Sequence, residues 1–103
     1  MKKISILFLI LLCNCTFLYA QQFSITGVVT DKKLKEPIIG ASVIVKGTTN
    51  GTVTDLDGNF TIQVSKENVL VISFIGYITQ EIKVNENQTS YNIQMSEDTQ
   101  TLD

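Results

Sequence analysis

Apolar and polar residues alternate with a period of two along most of the chain from Phe23 onward. In NFTIQV, residues 59–64, the apolar Phe60, Ile62 and Val64 lie on one face of an extended chain and polar residues on the other. An amphipathic helix needs a period near 3.6, so the pattern predicts strands with one buried face. The same alternation predicts buried side chains at Phe23, Ile25, Val29, Ala41, Val43, Val45, Ile78, Ile82, Val84, Tyr91, Ile93 and Met95.

Two further segments complete the predicted set of about seven strands. VLVISFI, residues 69–75, is almost continuously apolar, which predicts a central strand covered on both faces. A short strand is expected near residues 52–54. Strands spaced every eight to twelve residues or so, without a helical pattern after residue 20, indicate an all-β fold, a small antiparallel β-sandwich.

The connections between the predicted strands contain residues typical of tight turns. Asn50-Gly51 and Asp57-Gly58 predict hairpins, because asparagine, aspartate and glycine tolerate the positive φ that such turns require. Gly76 is also assigned to a turn.

Residues 1–20 have the layout of a secretory signal peptide. Two lysines precede an apolar run from Ile4 to Leu12, and a more polar stretch ends at Ala20, where cleavage is expected. A transmembrane helix is disfavoured because the segment is short and polar residues interrupt it. Lipidation at Cys15 is disfavoured because asparagine, not a small residue, precedes it.

Both cysteines of the chain, Cys13 and Cys15, fall inside this predicted leader. The expected mature chain, residues 21–103, therefore excludes disulfides and thiol chemistry. It contains six lysines, no arginine and ten acidic residues, a net charge of about −4. Nucleic acid is not an expected partner, because such proteins normally present a basic surface.

The acidic stretch VTDLDGNF, residues 53–60, is similar to the first half of a calcium-binding loop. An EF-hand loop requires oxygen ligands at positions 1, 3, 5 and 12 with glycine at position 6. With Gly58 at position 6, Asp55 and Asp57 fit, but Val53 and Val64 occupy positions 1 and 12. We therefore expect a turn, with Asp55 and Asp57 as weak metal candidates and no cofactor.

Catalysis is not expected from this sequence. The chain has no histidine, which removes most zinc chemistry and every Ser-His or Cys-His arrangement. A glycosidase-like carboxylate pair needs an enclosed site with aromatic walls. The Asp55 and Asp57 pair is expected on a solvated turn, and the chain has no tryptophan.

The segments ITGVVTD, PIIGASVIVKGTTNGTVTDLDGNFTIQV and VLVISFIGY together resemble a known family. They are similar to the carboxypeptidase-regulatory-like domain that opens SusC/RagA-family TonB-linked outer-membrane transporters of Bacteroidetes. The resemblance covers about residues 24–95. It rests on Gly27, Pro37, Gly40, Ala41, Val43, Gly47, Thr52, Asp55, Gly58, Phe60, Gly76 and Tyr77.

The resemblance implies a seven-stranded Greek-key sandwich of transthyretin-like type. It also implies an exported domain at the periplasmic face of the outer membrane, with no peptidase activity. The implied partners are the plug and barrel of the same transporter, TonB, and a SusD-like lipoprotein through the full transporter. In this interpretation residues 21–95 form the sandwich, and 96–103 are a flexible tail leading toward a TonB box absent from this sequence.

A second function remains open at this stage. The chain is then a free-standing secreted or periplasmic β-sandwich that binds a protein or a glycan through its loops. The coding sequence beyond codon 103 distinguishes the two hypotheses, because only the transporter requires a TonB box and a barrel to follow.

Overall fold

A computed structural model describes residues 22–99, and all its regular elements are strands. The predicted signal peptide, Cys13, Cys15 and residues 100–103 lie outside the described residues. The seven strands are β1 (Gln22–Asp31), β2 (Ser42–Val45), β3 (Gly51–Val53), β4 (Asn59–Ser65), β5 (Val69–Ser73), β6 (Gln80–Lys83) and β7 (Ser90–Met95).

The strands form two sheets, with the orders β4-β1-β7 and β3-β2-β5-β6. The chain passes between the sheets after β1, β3, β4 and β6, so strands adjacent in sequence often lie in different sheets, as in a Greek-key sandwich. One pairing differs from the antiparallel prediction: β7 runs parallel to β1, with Gly27 opposite Tyr91. The parallel pair forms because β7 enters this sheet from the other one, without a hairpin between the two strands.

The core lies between the sheets and follows the predicted alternation. Phe60, Ile62 and Val64 of β4 are buried, as are Tyr91, Ile93 and Met95 of β7. The other large buried side chains belong to β1, β2, the loop before β2, and β5. The fully buried members, below 2% exposure, include Ile25, Val29, Val43, Val64, Leu70, Ile72, Ile93 and Met95.

Two burial predictions are wrong. In β5 only Leu70 and Ile72 are buried, whereas Val69 and Val71 are half-buried, because a two-layered sandwich covers one face of each sheet. Ile75 lies beyond the strand and is 89% exposed. Ile78 is 52% exposed because it lies before β6, in the connection from β5, where the alternation of a strand does not apply.

The connection between β2 and β3 also differs from the prediction. The two strands pair as a hairpin, but residues 46–50 separate them and the positive φ, 81°, is at Gly47. Asn50 instead donates a side-chain hydrogen bond to the carbonyl of Gln63, 2.9 Å away. Gly51 begins β3 and leaves space for Ile44, whose Cγ1 would lie 2.9 Å from an added Cβ. The hairpin predicted here does form, but the positive φ expected at Asn50-Gly51 lies at Gly47 instead.

Gly58 and Gly76 both have positive φ, of 77° and 86°. The turn containing Asp57-Gly58 is not a hairpin, however, because β3 and β4 belong to different sheets. It carries the chain from one layer of the sandwich to the other.

Residues 96–98, which the sequence assigns to a flexible tail, are hydrogen-bonded to the sandwich in the structure. The carbonyl of Ser96 accepts a hydrogen bond from the Ile78 amide, and the Asp98 amide donates to the carbonyl of Gly76, both at 2.9 Å. Glu97 forms a β-bridge with Tyr77 between these two bonds. Residues 96–98 are thus attached to the turn after β5.

Candidate functional site

Four loops meet at one end of the sandwich, which we call the Asp31 end: residues 32–41, 54–58, 74–79 and 96–99. Backbone hydrogen bonds connect them. The Val29 amide donates to the carbonyl of Gly58 at 2.8 Å, and the Gly40 amide donates to that of Thr54 at 3.0 Å. The loops of this end therefore form one hydrogen-bonded assembly.

Asp31 lies at the centre of this assembly because of the alternation in β1. Its side chain continues the inward face formed by Ile25 and Val29, so its carboxylate reaches the end of the core and is 4% exposed. Oδ1 accepts the amide hydrogens of Lys33 and Leu34, both at 2.8 Å. Oδ2 accepts the hydroxyl hydrogen of Tyr77 at 2.7 Å. One carboxylate thus joins the turn after β1 to the turn after β5.

These contacts change the ionisation of both partners. The amide of Leu34, followed by the Tyr77 hydroxyl, lowers the pKa of Asp31 below its ordinary value of 3.8, and these bonds outweigh the opposing effect of burial. The hydrogen bond to Asp31, followed by burial, raises the pKa of Tyr77 to about 12. Charge on Lys33 supports the ionised carboxylate, and Glu97 and Glu36 oppose ionisation of the tyrosine.

The Asp31–Tyr77 pair predicts a dependence of folding stability on pH. Because the pKa of Asp31 is lower in the folded state, its contribution is present above about pH 4 and is lost as pH falls through the folded pKa. Because the pKa of Tyr77 is higher in the folded state, its contribution is present below about pH 10 and is lost as pH rises through about 12.

Urea unfolding from pH 2 to 7 tests the acidic half of this prediction. We expect Asp31→Asn to lower stability at pH 7 and to flatten the loss of stability below pH 4, relative to the unsubstituted chain. Tyr77→Phe should produce a weaker effect in the same direction, because the two backbone amides still bind Asp31. Parallel pH profiles for the chain and Asp31→Asn would contradict the assignment.

The Asp31–Tyr77 pair is not predicted by the sequence motifs. Asp31 is not among the candidate site residues predicted from the sequence. The sequence indicates this role only through the position of Asp31, on the inward face of β1 and directly before a turn. A carboxylate that is buried there must accept hydrogen bonds. The partner Tyr77 is 46 residues away in sequence, so local patterns do not reveal it.

The acidic turn has the geometry of a structural loop. Asp55 Oδ1 accepts the amide hydrogens of Asp57 at 3.0 Å and Asn59 at 2.9 Å. The backbone of Asp55 also exchanges bonds with Gly58 and Asn59. Asp57 is exposed, and its carboxylate accepts no hydrogen bond from residues 22–99. Asp55 therefore closes the turn, whereas Asp57 contributes its amide.

Calcium is expected to leave the stability of the domain unchanged. Val64, at the twelfth position of the tested motif, is 1% exposed and apolar. Among residues 22–99, no group of three or more acidic, histidine or cysteine side chains is placed to hold a metal ion. Thermal unfolding with millimolar calcium and with chelator should give equal midpoints. A rise of several degrees that Asp57→Asn abolishes would contradict this prediction.

The two sheets and the loop assembly place this chain among small β-sandwich domains. Residues 25–103 match the family described as the CarboxypepD_reg-like domain, and the chain belongs to that family. This finding confirms the resemblance derived from the sequence motifs.

Two receptors show where such a domain is found. TonB-dependent receptor SusC of Bacteroides thetaiotaomicron is 46% identical over 85 residues, which cover 82% of this chain and 8% of the receptor. TonB-dependent receptor P3 of Formosa agariphila is 37% identical over 100 residues, which cover 96% of this chain and 10% of the receptor. The chain therefore spans about a tenth of the length of these relatives.

The fold also resembles a solved β-sandwich. A chain in a mutant type II cohesin–X-dockerin complex from Acetivibrio cellulolyticus superimposes with a TM-score of 0.56 and 25% identity, covering 70% of this chain and 56% of that chain. The likeness supports the two-sheet fold. Within residues 22–99, no helix combines the length and apolar character needed to cross a membrane.

Proposed function

We propose that this chain is a non-catalytic, periplasmic accessory domain at the N-terminus of a SusC-like TonB-dependent outer-membrane transporter. The observation that carries the proposal is the family match over residues 25–103 together with 46% identity to SusC over 85 residues. The matched region of SusC is a small, N-terminal part of a much longer receptor.

The geometry supports an accessory role in two ways. The Asp31 carboxylate accepts hydrogen bonds from two amides and a hydroxyl of its own domain, which gives it a structural role in joining the loops. Residues 96–98 are attached to residues 76–78, so the chain leaves the sandwich from a fixed point. A domain with such an exit can present a following TonB box or modulate how TonB engages it.

Binding to the periplasmic domain of TonB tests this proposal. A polypeptide that extends from residue 21 through the native residues beyond Asp103 should bind, because the TonB box is expected there. The same polypeptide ending at Asp103 should not bind and serves as the matched control. If the native continuation contains no TonB box, or if the extended polypeptide fails to bind, the chain belongs instead to the class of free-standing sandwich modules.

A further inference from the structure

Large exposed apolar side chains are concentrated at the Asp31 end. Its loops carry five of them, with exposures from 52% at Ile39 and Ile78 to 89% at Ile75, the other two being Leu34 and Leu56. The loops at the opposite end, residues 46–50, 66–68 and 84–89, carry no exposed large apolar side chain. Single exposed apolar residues are ordinary, but their concentration at one end indicates an interaction surface.

The loops that carry these side chains are held in place by specific contacts. Thr54 donates its hydroxyl hydrogen to the carbonyl of Ile38 at 2.6 Å and accepts the amide hydrogen of Ala41 at 2.9 Å. The Asp31–Tyr77 bond and the turn closed by Asp55 hold the loops on either side. A preformed surface loses little conformational entropy when a partner binds, so the exposed residues are suited to docking.

The position of the chain exit argues for one particular partner. Residues 96–98 pair with residues 76–78, beside the exposed Ile75 and Ile78, whereas Gln22 pairs with Ser65 at the opposite end of the sandwich. Whatever follows the domain in a receptor thus begins next to these side chains. A tethered partner has an effective concentration in the millimolar range, so a modest apolar surface is sufficient to bind it.

We propose that the Asp31 end docks onto the periplasmic side of the same receptor polypeptide, in the part that follows residue 103. This inference rests on the proposed function and assigns a surface to it. The exposed apolar side chains form the centre of the contact. Lys32 and Lys33, next to a cavity of about 460 Å³ also bordered by Ser96 and Glu97, lie on one side, and Asp55 and Asp57 lie on another. The complementary surface therefore has an apolar centre, with acidic groups facing the lysines and basic groups facing Asp55 and Asp57.

Cysteine labelling in the full-length receptor tests the docking. Ile75→Cys and Glu86→Cys place single thiols at two exposed positions, at the Asp31 end and at the opposite end. Rates of reaction with a maleimide are measured in outer-membrane preparations and divided by the rates in the denatured receptor. We expect Ile75→Cys to react at least about tenfold more slowly than Glu86→Cys, because docking buries only the Asp31 end.

Two further variants establish the cause of any protection. Leu56→Ser should restore labelling of Ile75→Cys, since it removes another apolar side chain of the same end. Ile44→Ser, on the outer face of β2, is the matched control and should leave the protection unchanged. The docking proposal would be overturned if the two thiols reacted at equal normalised rates, whether both were fast or both were slow. It would also be overturned if Leu56→Ser left the protection of Ile75→Cys unchanged.

Failure of the docking proposal can be distinguished from failure of the proposed function. If the native continuation lacks a receptor, the proposed function fails before any labelling is measured. If the receptor binds TonB but Ile75→Cys reacts as fast as Glu86→Cys, only the docking proposal is wrong. Protection that weakens on dilution of the receptor would identify a second copy as the occupant and would also overturn it.

Discussion

Replacing Gly58 with valine is expected to destabilise the domain by about 3 kcal/mol or more. Gly58 has a φ of 77°, which a β-branched residue adopts only with strain. An added Cβ would also lie 2.6 Å from the carbonyl oxygen of Val29 and 3.0 Å from Cβ of Pro37. That carbonyl accepts the amide hydrogen of Ile38, so relief of the clash disturbs the connection between β1 and the following loop.

Gly76→Val is the matched control for this prediction. Gly76 has a similar φ of 86°, but no atom lies within 4 Å of an added Cβ. Its substitution therefore incurs the backbone strain alone, about 1–2 kcal/mol. Asp57→Asn should be nearly neutral, because Asp57 contributes only its amide to the turn. Urea unfolding of the three variants measures the differences, and equal destabilisation by the two valines would show that the close contact at Gly58 is not decisive.

Leu70→Ala is expected to cost about 3 kcal/mol, whereas Ile75→Ala should change stability by less than about 0.5 kcal/mol. Both residues belong to the apolar segment 69–75, but Leu70 is fully buried and Ile75 is 89% exposed. Truncation of Leu70 leaves a cavity between the sheets, and a small domain whose described residues contain no cysteine has only a few kcal/mol of stability. Chemical denaturation of both variants measures the contrast. Similar values would mean that Ile75 is packed against the sandwich as Leu70 is, and would contradict its exposed position.

The burial pattern was predictable where each strand has one buried face. Alternation in β4 and β7 identified every buried side chain, because a shift by one residue would expose the entire apolar set. In segment 69–75 the same reasoning failed. Apolar residues occur on both faces of the strand there, so the alternation does not indicate which face is buried. Val69 and Val71 are half-buried on the outer face of the sheet. The composition of the segment alone does not distinguish such a strand from a central strand covered on both faces.

Turn positions and the loop assembly were less accessible to sequence reasoning. Residues 46–50 contain several turn-compatible types, and the left-handed position falls at Gly47 because the hydrogen bonds of β2 and β3 define the loop length. Asp31 and Tyr77 meet only after the two sheets have packed, so no short-range pattern links them. The family resemblance, by contrast, was accessible because its glycines, its single proline and its aromatic residues occupy a specific order along most of the chain.

The location and size of the native gene product distinguish a receptor domain from a free-standing sandwich. An epitope tag in the polar loop 85–89, far from the Asp31 end, can be followed by immunoblotting of cell fractions. We expect a single outer-membrane species roughly ten times the length of this chain, given the share of the receptors that the chain covers. The tag should be inaccessible to antibody in intact cells and accessible once the outer membrane is permeabilised. A small tagged species, recovered free in the periplasm or the medium, would contradict the account and identify a free-standing sandwich.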